Sequence, residues 1–189
     1  MDKAKIEQGV RLLLEGIDED PKRDGLLETP QRVAAMYEDV ICTEPKDLSS
    51  IIEAMPTDRH QEMVLVRDIS FHSVCEHHLL PFFGVAHVAY IPSRHGKITG
   101  LSKIVRLVRT VAGRLQLQER LTSTIADTLV EALQPEGVLV LVRAEHLCMT
   151  MRGVRAPGSL VVTSAVRGIF RTSAATRAEV LALIEAPKP

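Results

Sequence analysis

Tryptophan is absent from this chain of 189 residues, and aromatic side chains make up only 3% of it. Platforms on which single-stranded bases stack are therefore poorly supplied, and a core must come from Val, Leu, Ile and Ala. Cysteine is scarce: Cys42, Cys75 and Cys148 are the three present. That odd, low number argues against a disulfide framework and for reduced thiols in the cytoplasm. No apolar run approaches the roughly 20 residues a membrane helix needs. The charged stretch Met1 to Gln8 lacks the apolar segment of a secretory signal. An excess of one charge is also missing, since the formal net charge is −1. A general nucleic-acid or membrane-surface binder is thereby disfavoured.

What is present suits one compact domain with a small helical addition. Hydrophobic residues reach 46%, enough to build a sizeable core and to argue against wholesale disorder. Basic residues cluster in the middle, at Arg94, Lys97, Lys103, Arg106, Arg109 and Arg114, and again at Arg143, Arg152, Arg155, Arg167 and Arg171. Much of the compensating acid lies in the first sixty residues. A local basic pocket on a neutral protein fits a small polyanion better than a long one.

Apolar spacing divides the chain. Ile6, Val10, Leu13, Leu14 and Ile17 recur with helical period. Thr29-Pro30 reads as cap and first residue of a second helix carrying Val33, Met36, Tyr37, Val40 and Ile41. A short third helix is expected over Asp47 to Met55, which completes an N-terminal helical arm over residues 1–60. From Met63 the period becomes that of strands, over Val64 to Phe71 and Gly84 to Ile91. Ser102 looks like the cap of a helix through Arg114, and Gln116 to Leu133 like another. Gly137 to Met149 and Leu160 to Phe170 read as strands, and Thr176 to Ile184 as a closing helix. Residues 61–189 thus predict an α+β domain, an antiparallel sheet with helices on one side.

Two local patterns carry metal chemistry. In Cys75-Glu76-His77-His78 the outer pair can aim a thiolate and an imidazole at one ion from a tight turn, leaving His77 free for proton transfer. His146-Leu147-Cys148 falls on a predicted strand, where residues two apart share a face. Cys148 there can add a third ligand beside His146. Three protein ligands leave a position for water, which distinguishes a hydrolytic site from a closed structural one. Nothing local connects Cys148 to the first pair, and a lone buried Cys reads equally well as a small hydrophobe. Cys42 reads as core, and His60, His72, His87 and His95 as structural or surface residues.

Other segments suit a nucleotide. Gly100-Leu101-Ser102-Lys103 opens the helix bearing Arg106 and Arg109, and a helix N-terminus can receive phosphate. The full P-loop pattern is missing, and an ordinary capped surface helix fits the same residues. Glu119 in Gln118-Glu119-Arg120 can accept from two adjacent N–H groups of a guanine edge, or simply face solvent. Arg152 and Arg155 follow the Cys148 segment. The His-x-Glu and Pro-Cys-x-x-Cys pattern of zinc nucleobase deaminases is not found.

Taken in register, these blocks resemble the GTP cyclohydrolase I family. They are Cys75-Glu76-His77-His78, Gly100-Leu101-Ser102-Lys103-Ile104, Gln118-Glu119-Arg120-Leu121-Thr122 and His146-Leu147-Cys148-Met149, extended by Thr29-Pro30-Gln31-Arg32-Val33 and Met151-Arg152-Gly153-Val154-Arg155. One departure is visible: the family's usual Arg-Pro before the QER block is Arg114-Leu115 here. The resemblance implies zinc held by Cys75, His78 and Cys148, with activated water attacking C8 of GTP. It implies His146 and His77 as catalytic proton carriers, and Gln118 and Glu119 as guanine readers. Ser102, Lys103, Arg106, Arg152 and, from a neighbouring subunit, Arg32 would hold the triphosphate. The implied products are 7,8-dihydroneopterin triphosphate and formate, the first step of tetrahydrofolate and pterin biosynthesis. The implied architecture is the tunnelling fold, assembled as a decamer of two pentamers with active sites at subunit interfaces.

Overall fold

The computed structural model describes residues 1–41, 47–56, 61–94 and 96–187, so Cys42, His60 and His95 lie outside the described residues. The chain forms two compact units, Met1–Thr43 and Glu44–Pro189. In the first, helices α1 (Lys3–Gly16) and α2 (Thr29–Val40) pack on each other. The Asp2 carboxylate accepts from Lys5 N and caps α1. Thr29 is the first helical residue of α2, one position later than its expected role as cap, with Pro30 directly behind it.

The second unit is built on a five-stranded sheet of order β5-β2-β3-β6-β7. Its strands are β2 (Val64–Cys75), β3 (Pro81–Ile91), β5 (Leu115–Gln116), β6 (Gly137–His146) and β7 (Val161–Gly168). The four long strands are antiparallel and β5 joins β2 in parallel. A separate ribbon pairs β1 (Ala54–Pro56) with β4 (Lys97–Thr99).

Helices α3 (Leu101–Ala112) and α4 (Gln118–Leu133) cover one face of the sheet. Ile104, Leu107, Val108 and Val111 of α3 and Leu121, Ile125, Leu129 and Leu133 of α4 form apolar stripes. They bury against Ala86, Val88 and Tyr90 of β3 and Val138, Val140 and Val142 of β6. The alternate residues Leu139 and Leu141 point the other way. There they meet Phe170 of the short helix α6 (Ile169–Thr172) and Val180 and Ile184 of α7 (Ala174–Glu185), a second and smaller core. Arg67 fastens α7 by donating to the carbonyls of Leu183, Ala186 and Pro187 at its C-terminal end.

Three local expectations are corrected. Asp47 to Met55 is not a helix: Asp47 turns the chain by accepting from the Ser49 amide and hydroxyl, a single 3-10 turn follows at Ser49–Ile51, and Met55 pairs with Ile98. Gly100, not Ser102, stands at the cap of α3. The strand expected through Met149 ends at His146, and Leu147–Thr150 is a helical turn, α5.

Candidate metal centre and active site

The turn after β2 is held tightly by its own backbone. Cys75 N donates to Leu80 O and Leu79 N to Cys75 O, both at 2.9 Å. Leu79 is in the left-handed region at φ +55°, a costly place for a leucine that persists because these bonds determine the turn. The parallel pairing of Cys75 with Gln116 and the bond from Glu76 N to Gln116 O tie the turn to β5. Arg120 of α4 adds a side-chain brace, pairing with the Glu76 carboxylate while its Nε donates to Gln116 Oε1 at 2.9 Å.

Cys148 reaches this turn from β6. Sheet register sets the approach: Val74 pairs with Pro81, and the next residue, Phe82, pairs with His146. Cys148 follows two positions later on α5, so it arrives by a helical turn and not by the shared strand face the spacing suggested. The ligand atoms of Cys75, His78 and Cys148 all lie within 4.8 Å of one another. Two sulfurs and an imidazole nitrogen suit zinc, and three protein ligands leave coordination capacity unused. Burial, then the adjacent Cys75 thiol, push the Cys148 thiol up, with Arg152 pulling weakly the other way. A divalent cation would supply the positive charge that holds Cys148 as a thiolate. The donor set fits the ion.

His146, two residues before Cys148 at the end of β6, is held in a fixed pose. Its ring stacks on Phe82 at 4.5 Å and 6°, and its Nε2 is 2.7 Å from Gln118 Oε1. Burial holds the imidazole below its ordinary value, opposed by the nearby Glu119 carboxylate. His146 is therefore neutral near pH 7, able to accept a proton and return it. His77 is exposed, its ring 6.2 Å from that of His78 and nearly perpendicular to it. Arg152 Nη1 donates to His78 Nε2 at 3.2 Å, which brings a guanidinium to the edge of the metal group. Glu119 lines a cavity of about 480 Å³ between α4 and the edge strand β7, with Thr163 and Arg167 on the opposite wall.

Not every expected residue joins this constellation. Gln118 is 1% exposed and its amide is engaged within the protein, so its side chain does not offer an edge to a base. Ser102 and Lys103 sit at the far end of α3 and Arg106 at its middle. The C-terminal end of that helix lies at the metal end of the sheet, where Ser73 donates to Ala112 O. Ser102 is ten residues earlier, about 15 Å along the axis. Lys103 pairs there with Glu53, whose carboxylate its bond holds low. Arg32 belongs to the first unit, where it pairs with Glu28. Sequence reasoning missed Phe82, Glu53 and the Arg120–Glu76 brace. Only the last had a signal, in the arginine of the QER block.

Among the described residues, no helix is long and apolar enough to cross a membrane. The family model described as GTP cyclohydrolase I matches residues 6–185. The protein named GTP cyclohydrolase 1 of Carboxydothermus hydrogenoformans is 61% identical over 189 residues, covering 100% of this chain and 98% of that relative. Its namesake in Geobacillus kaustophilus is 61% identical, with 97% of each chain covered. The Bacillus subtilis protein of that name is 60% identical, with 96% and 95% covered. Among solved structures, the archaeosine synthase QueF-Like in its apo form covers 58% of this chain and 97% of that chain at 22% identity and a TM-score of 0.46, too distant a likeness to bear on function. Six motif blocks in register and a match spanning almost the entire length lead to one assignment: the chain is a hydrolase of the GTP cyclohydrolase I family.

Proposed function

We propose that this protein converts GTP and water to 7,8-dihydroneopterin triphosphate and formate, opening pterin and tetrahydrofolate synthesis in the cytoplasm. The observation that carries the reading is the meeting of Cys75, His78 and Cys148 from two distant segments, with His146 two residues before Cys148. Zinc held by those three residues would supply a Lewis acid that activates water at neutral pH.

The chain's own residues do the rest. Glu119 accepts from the ring N–H and exocyclic amine of guanine, a bidentate pairing that orients the imidazole ring of the base. His146, neutral and fixed by its stack on Phe82, exchanges protons at the imidazole nitrogens as the ring opens; the exposed His77 assists. A second hydrolysis releases formate. The ribose then opens and rearranges, and closure of the new ring returns one water, so one water is consumed overall.

Arg152 meets the phosphate tail from the metal side, while Ser102, Lys103 and Arg106 form a phosphate clamp that lies about 9–15 Å from that end along α3 in the same chain. That separation favours a clamp contributed by a second copy, with Arg32 added from a neighbour. It thereby supports active sites at subunit interfaces, for which the proposed assembly is a decamer, with the helices of the first unit as an arm and the β1–β4 ribbon part of the catalytic unit.

The test is to incubate metal-quantified protein with GTP while following formate and the pterin ultraviolet band together. Both signals, each lost in Cys148→Ala with the metal, support the reading. Formate without pterin places the end of the reaction at an opened-ring intermediate. Neither signal from zinc-loaded, assembled protein removes the catalytic reading and leaves a nucleotide-binding relative.

A further inference from the structure

Gln118 is the first residue of α4, and its side-chain amide is surrounded. Nε2 lies 3.2 Å from Val142 O, 3.0 Å from Val161 O and 3.0 Å from Thr163 Oγ1. Two carbonyls in that shell accept only, so the nitrogen and not the oxygen must face them. The hydroxyls agree with this orientation. Thr122 donates its proton to the Gln118 carbonyl at 2.7 Å, and its oxygen lies 2.6 Å from Thr163 Oγ1. Thr163 must therefore donate to Thr122 and accept from Gln118 Nε2. The chain of bonds runs in one direction and closes on the residue where it began.

Gln118 Oε1 is then left with a single task, to accept from His146 at 2.7 Å. Only a protonated Nε2 can make that bond, because a bare nitrogen there would set two lone pairs against each other. Nδ1 is the other ring nitrogen, and among the described residues it has no hydrogen-bond partner. Phe82 fixes the plane of the ring, and Gln118 fixes which nitrogen is which.

We propose that Gln118 is a positioning residue that holds His146 with its proton on Nε2, leaving Nδ1 as the nitrogen that exchanges protons with the substrate, and that its side chain does not read the base. This rests on the reading above, in which His146 carries protons for the opening of the guanine ring. A base-reading residue contributes to binding of substrate and transition state alike and acts on KM. A residue that sets a tautomer acts on kcat.

The experiment labels histidine with ¹⁵N in the zinc-loaded, assembled enzyme and records magic-angle-spinning spectra, identifying the His146 signals by their loss in His146→Asn. Wild-type enzyme is expected to show an unprotonated Nδ1 and a protonated Nε2. Gln118→Met is expected to mix the two tautomers and to lower kcat roughly 100-fold, at the low end of a general acid–base contribution, with KM for GTP within about threefold. A wild-type His146 protonated on Nδ1 overturns the proposal, and so does a Gln118→Met enzyme with raised KM and unchanged kcat. Should Gln118→Met not fold, Thr163→Val removes the hydroxyl that orients the amide; a partial tautomer mixture with reduced kcat supports the proposal, and an unchanged spectrum and kcat overturn it. Wild-type enzyme that does not turn over GTP overturns the underlying reaction, while the spectrum still decides the positioning role.

Discussion

Gly84 lies on β3 opposite Ala144 of β6, two residues from the pair that stacks Phe82 on His146. A Cβ at position 84 would stand 1.9 Å from Arg143 O and 2.7 Å from Ala144 Cα. Both obstacles are backbone atoms of the adjoining strand, so no side chain can swing aside. Relief requires β3 and β6 to part by more than about 1 Å, from a normal spacing of about 4.8 Å, in the middle of the sheet. Loss of two or three ladder bonds at about 1 kcal/mol each, plus the strain of overpacking at about 1–3 kcal/mol, gives about 3–6 kcal/mol for Gly84→Ala. For a domain of this size that is a fall of roughly 6–24 °C in Tm, at about 2–4 °C per kcal/mol. Thermal unfolding at fixed protomer concentration measures it, since assembly makes Tm concentration-dependent. Gly153→Ala is the control. Its φ is +63° but nothing lies within 4 Å of the added Cβ, so only the left-handed backbone penalty of about 1–2 kcal/mol applies. GTP turnover should fall further in Gly84→Ala than in Gly153→Ala, because the parted strands carry the His146 platform. A Gly84→Ala protein that melts within a degree of wild type with full activity would refute the argument that this register builds the site.

Three further outcomes follow from the geometry. Burial keeps the His87 imidazole below its ordinary value, with smaller opposing effects from Asp68 and Glu185 and reinforcing ones from Arg143 and Arg67. The unfolded chain therefore binds this proton first, and stability falls as pH drops from about 6.5 through the folded-state value; His87→Gln should flatten that part of the profile in chemical denaturation at pH 7.5 and 5.5, and an unchanged slope removes His87 as its cause. Glu53 occupies Lys103, so Glu53→Gln should free the cation and lower KM for GTP, whereas a raised KM would make Glu53 a support that positions Lys103. Arg120→Met releases Glu76 from α4 and should weaken zinc binding by at least about tenfold, as loss of a supporting bond around a metal site does; chelator competition measures it, and unchanged affinity means that the backbone pairing with β5 suffices to hold the turn.

Much of this molecule is written in local pattern. The stripes Ile104, Leu107, Val108, Val111 and Leu121, Ile125, Leu129, Leu133 mark α3 and α4 by spacing alone, because a 3.6-residue period needs no information from elsewhere in the chain. The α+β class is legible from the change to strand period, and the metal-bearing turn at Cys75–His78 from the spacing of two ligand types within one turn, both equally local. Asp47 to Met55 misled because its apolar residues suit a helix in isolation, while β4 offers Met55 a partner forty-three positions downstream. What the fold alone decided is everything that depends on distant segments meeting. Cys148 joins Cys75 and His78 because β6 ends one pairing beyond the Val74–Pro81 pair and then coils, a route that no spacing rule encodes. Gln118 turns inward to His146 because three acceptors from β6 and β7 surround its amide. Sequence specifies which chemistry is available, since residue type and period are local properties. Which nitrogen faces which oxygen is set by strand register and burial, and these exist only once the sheet has closed on its helices.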